Sequence, residues 1–380
     1  MRIFVDSVRI GVGGGRTYSY NLLKACNEID LAHEYDVLVL AEAFGQFSRL
    51  ASDRLAVLRE SQRVPASGWK RVLWEQFTLP LILRRSSADI FLSMGSTDVF
   101  AASWVAHVPS VVVIQMNQPW MVPDLMPASL KVVKWGMALS KHTASHFLSV
   151  SETTKREIVQ VFGIEPHRIS VVHYGGASEI FSPEASSRRG ILDRYGITQP
   201  YILSVSSVFT FKNYLRLVQA YDILRTKLST APRLLVIGAV KHRSYFDEIT
   251  ELIDALGLQE SVKFLGYVAH DDLPAIYANA QAYVFPSLCE TFGLTPLEAM
   301  ACGVPVAASN VSVMPEVCGD AAVYFDPYDP DDEADVMLEV LTDRSLREDL
   351  IARGFRRVQQ FSWEKAARQT LRVLEEVAGN

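Results

Sequence analysis

The sequence predicts an α/β protein of two doubly wound, Rossmann-like domains with parallel sheets, facing one another across a cleft. Three observations support this prediction. The chain has 380 residues, which suits two domains of roughly 100–200 residues each. Short apolar runs alternate with longer helical patterns along the chain, in two successive series. A segment rich in serine, proline and arginine separates the two series near residue 180.

The first series predicts a domain over residues 1–180. Its opening strand is Arg2–Val5, followed by a glycine-rich loop and a helix at Thr17–Glu28. Later short apolar runs are predicted as further strands, namely Tyr35–Leu40, Ile90–Ser93, Ser110–Ile114, Phe147–Val150 and Ile169–His173. The segment Phe181–Gln199 interrupts this rhythm and predicts the crossing to a second domain, with a short helix at Ile191–Tyr195.

The second series predicts a domain over residues 181–361. Its apolar runs predict strands at Tyr201–Val205, Arg233–Ile237, Val262–Leu265, Ala282–Phe285, Val304–Ala308 and Ala322–Phe325. Helical patterns fill the gaps at Tyr214–Leu228, Ser244–Ala255 and Asp272–Ala278. A last helical pattern, Trp363–Val377, closes the chain. Ligands of such parallel sheets bind at the carboxyl ends of the strands.

Composition excludes several classes of protein. A net charge of −6 with 21% charged residues argues against a general nucleic-acid binder, which needs a basic excess. The four cysteines lie far apart without metal-ligand spacing, as expected of reduced thiols. Neither a signal peptide nor an uncharged apolar run of about 18 residues is found. We therefore expect a cytoplasmic protein, which would meet a membrane at its inner face.

One segment mixes aromatic and basic side chains. It runs from Trp69 through Trp74 to Leu83, Arg84 and Arg85. Such a pattern is typical of a peripheral contact with an anionic membrane that carries a lipid acceptor. A buried amphipathic helix explains the same pattern, and both interpretations stay open.

The most informative stretch runs from Pro286 to Pro305 and contains two carboxylates, Glu290 and Glu298. It reads as a strand end, a glycine loop and a helix start, where amide groups and the helix dipole favour a diphosphate. Carboxylates on both sides of such a cradle suit neutral hydroxyl groups. Thr295 fits the N-cap position, so Thr295-x-x-Glu298 is also a capping box that needs no ligand.

This stretch closely resembles the E-x7-E signature of retaining GT-B glycosyltransferases of family 4. Neighbouring stretches resemble the family too, including Val262–Tyr267, Leu273–Tyr277 and Pro315–Val317. The resemblance implies transfer of a hexosyl unit from a nucleotide-diphosphate sugar, with GDP-mannose and UDP-hexoses as first candidates. It implies a glycan or lipid-linked acceptor in bacterial glycan assembly. It also implies that residues 362–380 pack back on the first domain.

The resemblance assigns roles to residues of the second domain. Glu290 contacts hydroxyls of the donor sugar and Glu298 contacts the ribose. The remaining donor-binding candidates lie in the glycine loop or after neighbouring strands, and they are Thr291, Phe292, Gly293, Leu294, Ser207 and Tyr267. Beyond the nucleotide sugar, no cofactor and no metal ion is expected.

Lys212 is the candidate cation for the diphosphate. It lies where the first strand of the second domain gives way to a helix, and a lysine there can stabilise phosphate charge. A surface lysine before a helix is the other interpretation. The family usually has an arginine five residues earlier, where this chain has Ser207. The basic run Lys241–Arg243 after the next strand is a candidate replacement, or a solvated loop.

A glycine-rich loop, Gly11–Arg16, follows the first strand. The G-x-G-x-x-G dinucleotide pattern fails because Arg16 occupies the last glycine position. The loop resembles the first glycine loop of the family, which lies near the phosphates and the acceptor. Gly14 and Gly15 are therefore donor-side candidates and Arg16 an acceptor-side candidate, although a plain tight turn explains the loop equally well.

The polar residues after Ser110–Ile114 depart from the family pattern. Gln115 stands where the family often has a histidine, and Asn117 and Gln118 follow. Their amides are candidates for hydrogen bonds to the sugar, and an ordinary polar loop is the alternative.

Two other functions also stay open, a catalytically silent GT-B protein that binds a nucleotide or glycan, and a GT-B epimerase.

Overall fold

The chain forms two compact units in a computed structural model, which describes residues 1–8, 14–59, 69–95, 106–126, 128–188, 190–198 and 200–379. The first unit comprises Met1–Gly175 with Ser362–Asn380, and the second comprises Gly176–Phe361. Each unit is an open parallel sheet with helices packed against it. The predicted fold class, two Rossmann-like α/β domains, is confirmed.

The sheet of the first unit has seven strands among the described residues, in the order β3-β2-β1-β4-β5-β6-β7. These strands are β1 (Arg2–Asp6), β2 (Glu34–Val39), β3 (Leu55–Arg59), β4 (Ile90–Ser93), β5 (Ser110–Ile114), β6 (His146–Ser149) and β7 (Ile169–Val171). Its helices are Gly14–Ile29, Ala41–Phe47, Trp69–Phe77, Leu79–Ser86, Gln118–Met121, Ala128–Thr143, Glu152–Phe162 and Trp363–Ala378.

The sheet of the second unit has six strands among the described residues, in the order β10-β9-β8-β11-β12-β13. These strands are β8 (Tyr201–Val205), β9 (Arg233–Ile237), β10 (Val262–Gly266), β11 (Ala282–Phe285), β12 (Val306–Ser309) and β13 (Ala322–Phe325). Its helices are Gly190–Arg194, Tyr214–Lys227, Arg243–Ala255, Leu273–Ala278, Leu294–Ala301, Met314–Cys318, Pro330–Thr342 and Arg344–Val358. Across the described residues, we find no helix whose length and apolar composition would suffice to cross a bilayer.

Continuous apolar runs form the central strands. All five residues of β5 and all five of β8 are buried, because helices cover both faces of a parallel sheet. One strand is absent from the sequence prediction: β3 at Leu55–Arg59 pairs with β2 at the edge of the first sheet. The carboxyl ends of β8, β9 and β11 lie at one edge of the second sheet, where a doubly wound fold binds ligands.

An unusual carboxylate is buried in the second unit. Glu333 lies in the first turn of the helix Pro330–Thr342, is 0% exposed, and has no hydrogen-bond partner for either carboxylate oxygen among the described residues. Burial raises its pKa to about 8, although the Arg216 charge opposes the shift. Folding at neutral pH therefore protonates this carboxyl group, which costs free energy because the unfolded chain ionises it.

We predict that Glu333→Gln stabilises the protein and that the gain grows with pH. The pKa of Glu333 is higher in the folded protein than in the unfolded chain, where it is near 4.5. Its contribution to stability is therefore fully present only at pH values below about 4.5. That stability is lost as the pH rises to about 8, at up to about 1.4 kcal/mol per pH unit. Glutamine does not titrate. Thermal melting of both proteins at pH 5, 6.5 and 8 should show a widening difference, and parallel curves would contradict the prediction.

Candidate functional site

The loop after β11 carries Glu290 in a fixed backbone geometry. The Glu290 N–H donates to the hydroxyl of Ser312 at 3.0 Å, and that hydroxyl donates to the Glu290 carbonyl at 2.9 Å. The Ser309 hydroxyl donates to the carbonyl of Ser287 at 2.7 Å and anchors the start of the same loop. Hydrogen bonds from the end of β12 and the turn after it therefore hold Glu290 in place.

Ser287 and Lys212 both contact the Glu290 carboxylate. The hydroxyl of Ser287 donates to its Oε1 at 2.7 Å, and the ammonium group of Lys212 forms an ion pair with the same oxygen. Only 14% of the Lys212 side chain and 11% of the Glu290 side chain are exposed. The ammonium nitrogen also lies 5.3 Å from the ring centroids of Phe211 and Phe285. Solvent therefore screens this charge pair only weakly.

Lys212 is placed by the segment that follows β8. The single 3-10 turn Thr210–Lys212 ends at Asn213, whose backbone is left-handed with φ of 64°. The Asn213 side-chain amide donates to the Pro327 carbonyl at 2.7 Å, and the helix Tyr214–Lys227 begins immediately afterwards. The Leu288 N–H donates to the carbonyl of Phe211 at 2.8 Å and joins this turn to the Glu290 loop.

The glycine loop leads directly into the helix Leu294–Ala301. Gly293 has φ of +90°, and a Cβ there would lie 2.5 Å from the terminal methyl carbon of Met314. The left-handed conformation therefore favours glycine, while the flexible Met314 side chain could move to accommodate a Cβ. The interpretation of Thr295 as the N-cap of a capping box is wrong: Gly293 is the N-cap and the helix begins at Leu294, two residues before the start that a cap at Thr295 would give.

Glu298 points into the core of the second unit. It is only 7% exposed, and the Tyr277 hydroxyl donates to its Oε2 at 3.0 Å. Burial raises the pKa of Glu298 to about 7, and the hydrogen bond from Tyr277 opposes that shift. A carboxyl group that titrates near neutral pH is typical of functional sites, although buried structural carboxyls show the same shift.

The other candidates in the second unit surround this loop to different degrees. Thr291 and Phe292 are buried, and Leu294 is the first residue of the helix. Ser207 is half-buried after β8. Tyr267 is 73% exposed and follows β10.

The basic run after β9 lies beside the segment that contains Ser207. Val208 and Val240 form an isolated parallel bridge. The Lys241 N–H donates to the Val208 carbonyl at 3.2 Å, and its side chain is exposed. The backbone therefore brings this lysine near the position where the expected arginine is missing.

The glycine-loop candidates of the first unit begin a helix. Gly14 and Gly15 are the first residues of Gly14–Ile29, while residues 11–13 lie outside the described part of the chain. The Arg16 guanidinium approaches Glu42 with an Nη2–Oε1 distance of 3.5 Å. Within the described residues, its Nε is buried and lacks a hydrogen-bond partner.

The amide candidates after β5 bond to groups of the protein itself. The Gln115 amide donates to the Met94 carbonyl at 3.1 Å. Asn117 is 0% exposed and donates from Nδ2 to Glu157 Oε2 at 2.8 Å. Gln118 is buried at the start of the helix Gln118–Met121. Their role in sugar recognition stays a prediction.

The structure thus joins Lys212 to Glu290 and places Glu298 one turn into the helix that follows. Sequence reasoning missed three residues that position these groups, namely Ser287, Ser312 and Tyr277. The position of Ser287, three residues before Glu290, could have indicated a hydrogen bond from its hydroxyl to that carboxylate. Chemically, this set combines a cation, a helix start that favours anions, and carboxylates that accept hydrogen bonds from hydroxyl groups.

Two family models match the chain. The model of "Glycosyl transferases group 1" matches residues 193–357, and that of "Glycosyltransferase Family 4" matches residues 12–175. The first match contains Lys212, Glu290 and Glu298. The second contains the candidates of the first unit, Gly14 to Gln118.

Curated relatives match part of the chain. It is 36% identical over 234 residues to the O-antigen chain mannosyltransferase B of Escherichia coli, a match that covers 61% of each protein. It is 31% identical over 227 residues to the serotype-specific mannosyltransferase WbdA of Escherichia coli, covering 59% of this chain and 28% of that protein. The chain therefore matches less than two thirds of the length of each of these relatives.

Solved structures match the whole chain in fold. The crystal structure of Anabaena HepE in complex with UDP and glucose superposes with a TM-score of 0.78. The match covers 99% of this chain and 100% of that one at 19% sequence identity. At this identity the likeness establishes the fold alone, and it agrees with the expected GT-B class.

Proposed function

Because the chain belongs to the group 1 glycosyltransferases of family 4, we propose that it transfers a hexosyl unit from a nucleotide-diphosphate sugar to a hydroxyl group of a glycan acceptor. We further propose that transfer retains the anomeric configuration. The observation that carries this proposal is the ion pair between Lys212 and Glu290, held by Ser287 beside the start of the helix Leu294–Ala301.

The ion pair between Lys212 and Glu290 can rearrange when a nucleotide-sugar donor binds. An incoming diphosphate competes with Glu290 for the Lys212 ammonium group, and the amides at the helix start favour the same anion. Glu290 then accepts hydrogen bonds from hydroxyls of the donor sugar. Ser287 and Ser312 hold the carboxylate and its backbone throughout, so that little reorganisation is needed.

Lys212 and the helix start stabilise the leaving diphosphate. As the glycosidic bond breaks, negative charge grows on the diphosphate and positive charge develops at the anomeric carbon. We propose that the acceptor hydroxyl attacks on the face that the diphosphate leaves, and that a diphosphate oxygen takes its proton. This route retains the configuration without a covalent glycosyl-enzyme intermediate.

The names of similar proteins suggest which substrates to test first. Both curated relatives described above are mannosyltransferases, which favours GDP-mannose as the donor. The similar structure of HepE contains UDP and glucose, which favours a UDP-hexose. The O-antigen relative supports a bacterial polysaccharide or lipid-linked glycan as the acceptor.

A donor screen tests this proposal. The purified protein is incubated with GDP-mannose, UDP-glucose or UDP-galactose, with and without acceptor glycans, and release of the nucleoside diphosphate is followed. A transferase releases it faster with an acceptor, and proton NMR of the product reads the anomeric configuration. An epimerase instead converts the donor without an acceptor. A silent binding protein is stabilised by the nucleotide in thermal melting but releases nothing.

We predict that transfer does not require a metal ion. Lys212 and the amides at the start of Leu294–Ala301 supply the positive potential that a divalent cation would otherwise give. Initial rates measured with 5–10 mM EDTA, roughly the range used to strip divalent ions, should stay within about twofold of untreated protein. Loss of activity that Mn²⁺ or Mg²⁺ restores would contradict this prediction.

We predict that Glu298 controls donor affinity and its pH dependence. An ionised carboxylate accepts ribose hydroxyls better than a neutral one, and the pKa of Glu298 is raised to about 7 by burial. The donor kcat/KM should therefore rise as the pH increases through about 7. Glu298→Gln should raise the donor KM roughly tenfold or more, leave kcat closer to wild type, and remove this pH step.

Tyr277→Phe provides the matched control. The Tyr277 hydroxyl donates a hydrogen bond to Glu298 and lowers the pKa of that carboxyl group. Removing the hydroxyl should therefore move the rise of donor kcat/KM to higher pH. A shift in this direction distinguishes titration of Glu298 from titration of the donor. An unchanged profile in both Tyr277→Phe and Glu298→Gln would remove Glu298 from the donor site.

A further inference from the structure

Two helical segments of the first unit lie on the same face of its sheet. The connection from β3 to β4 contains the helices Trp69–Phe77 and Leu79–Ser86, and the connection from β5 to β6 contains Ala128–Thr143. Each of these two connections leads to a strand that lies closer to the β7 edge of the sheet than the strand it leaves. Crossover connections between parallel strands are right-handed, so these helices cover one face and Gly14–Ile29 covers the other.

The core contacts agree with this placement. Leu79 and Leu83 pack in one cluster with Phe91 of β4. Met137 packs in a second cluster with Phe147 of β6. The strand registers place Phe91 and Phe147 on the same side of the sheet, through β5 between them.

The outer sides of these helices expose large apolar side chains. In the first pair of helices Leu73, Phe77 and Leu81 are 44%, 70% and 50% exposed. In the other helix Trp135 and Leu139 are 74% and 51% exposed. Leu73 and Phe77 are four residues apart in one helix, and Trp135 and Leu139 are four residues apart in another, so each pair lies along one side of its helix. Leu81 lies in the helix that follows Phe77. Such grouped exposure, in contrast to scattered single residues, indicates an interaction surface.

The same segments carry almost exclusively positive charge. Residues 69–86 contain Lys70, Arg71, Arg84 and Arg85, and their single acidic residue, Glu75, is 0% exposed. Residues 128–143 contain three lysines, at positions 131, 134 and 141, and no Asp or Glu. The whole chain has a net charge of −6. These two segments therefore carry a charge opposite to the net charge of the chain.

We infer that this surface docks the protein on an anionic lipid bilayer. The basic apolar face, as we call it, consists of Leu73, Phe77, Leu81, Arg84, Arg85, Lys134, Trp135 and Leu139. Apolar and aromatic side chains enter the boundary between headgroups and acyl chains, while the lysines and arginines bind the anionic headgroups. The mixture distinguishes a bilayer from nucleic acid, whose backbone offers no partner for Leu73, Leu81 or Leu139.

Vesicle flotation of the 380-residue chain tests this inference without reference to donor or activity. We expect binding to phosphatidylcholine vesicles that contain about a third phosphatidylglycerol, much weaker binding to pure phosphatidylcholine, and release in about 0.5 M salt as charges are screened. Replacing Phe77 and Trp135 by serine should lower the partition coefficient about tenfold or more.

Charge and apolar contributions are separated with matched variants. Arg84→Gln with Arg85→Gln should weaken binding roughly fivefold for each positive charge removed. Leu31→Ser, at a site 75% exposed outside this face, and Arg344→Gln, on the second unit, are the controls and should bind like wild type. Thermal melting verifies that all variants fold.

Three results would overturn the inference. One is no binding of the wild type to anionic vesicles at low salt, and another is equal losses in the control and face variants. The third is a self-association, seen by sedimentation velocity, that the Trp135→Ser change abolishes while vesicle binding is absent. That result would assign the face to contacts between protein chains.

Discussion

Lys212→Ala is expected to lower the turnover number by about 10²–10³, with a smaller change in donor KM. Loss of one preorganised group that stabilises developing charge typically costs that much. Lys212 meets the condition because its side chain is only 14% exposed and is fixed between two aromatic rings and Glu290. Charge on the diphosphate grows as the glycosidic bond breaks, so the transition state loses more than the bound donor.

Lys227→Ala is the matched control for this variant. Lys227 also forms an ion pair with a carboxylate of the second unit, Asp335, but this pair is on the surface. Its removal should change neither kcat nor KM appreciably, since surface ion pairs contribute little. Because Lys212→Ala leaves Glu290 without its cation, circular dichroism and thermal melting must accompany the kinetics. A folded Lys212→Ala protein with wild-type turnover would contradict the proposed role.

Glu290→Gln is expected to lower turnover by about 10². Glutamine keeps the size of the side chain and can still accept the hydrogen bond from Ser287, but it loses the charge that pairs with Lys212 and binds sugar hydroxyls. We therefore expect the substitution to impair the positioning of the donor sugar. Steady-state kinetics with the correct donor, together with nucleoside diphosphate binding by calorimetry, separates this loss from a loss of nucleotide affinity.

Two further variants sharpen the interpretation of Glu290→Gln. Ser287→Ala removes one hydrogen bond to the carboxylate and should cost only about tenfold. Combining Lys212→Ala with Glu290→Gln should cost less than the product of the single effects, because the two groups contact each other. Strictly multiplicative losses would mean that the residues act independently, which the ion pair argues against.

The sequence predicted the sheets well because parallel strands are covered on both faces and read as short continuous apolar runs. The bounds of Ile90–Ser93, Ser110–Ile114 and Ala282–Phe285 agree with the structure to the residue. The edge strand Leu55–Arg59 was missed. Its residues Leu55–Leu58 form a continuous apolar run, but a run this short cannot be assigned to a strand or a buried helix from periodicity alone.

The candidate site was predicted less completely, because its decisive contact joins residues far apart in the chain. Lys212 and Glu290 are 78 positions apart, and no local pattern indicates that the lysine pairs with this carboxylate. The capping box failed for a local reason. Thr295 and Glu298 have the right spacing, but the left-handed Gly293 is the N-cap, two residues before Thr295, and the Tyr277 hydroxyl donates to Glu298 in the core.

The most direct test of the central claim is nucleoside diphosphate release from GDP-mannose and UDP-hexoses, measured with wild type, Lys212→Ala and Glu290→Gln under identical conditions. The account predicts turnover of at least one donor by wild type, faster with an acceptor glycan. It also predicts losses of about 10² or more in each folded variant. Wild-type rates in both variants, or no release by wild type from any nucleotide sugar with any acceptor, would contradict it.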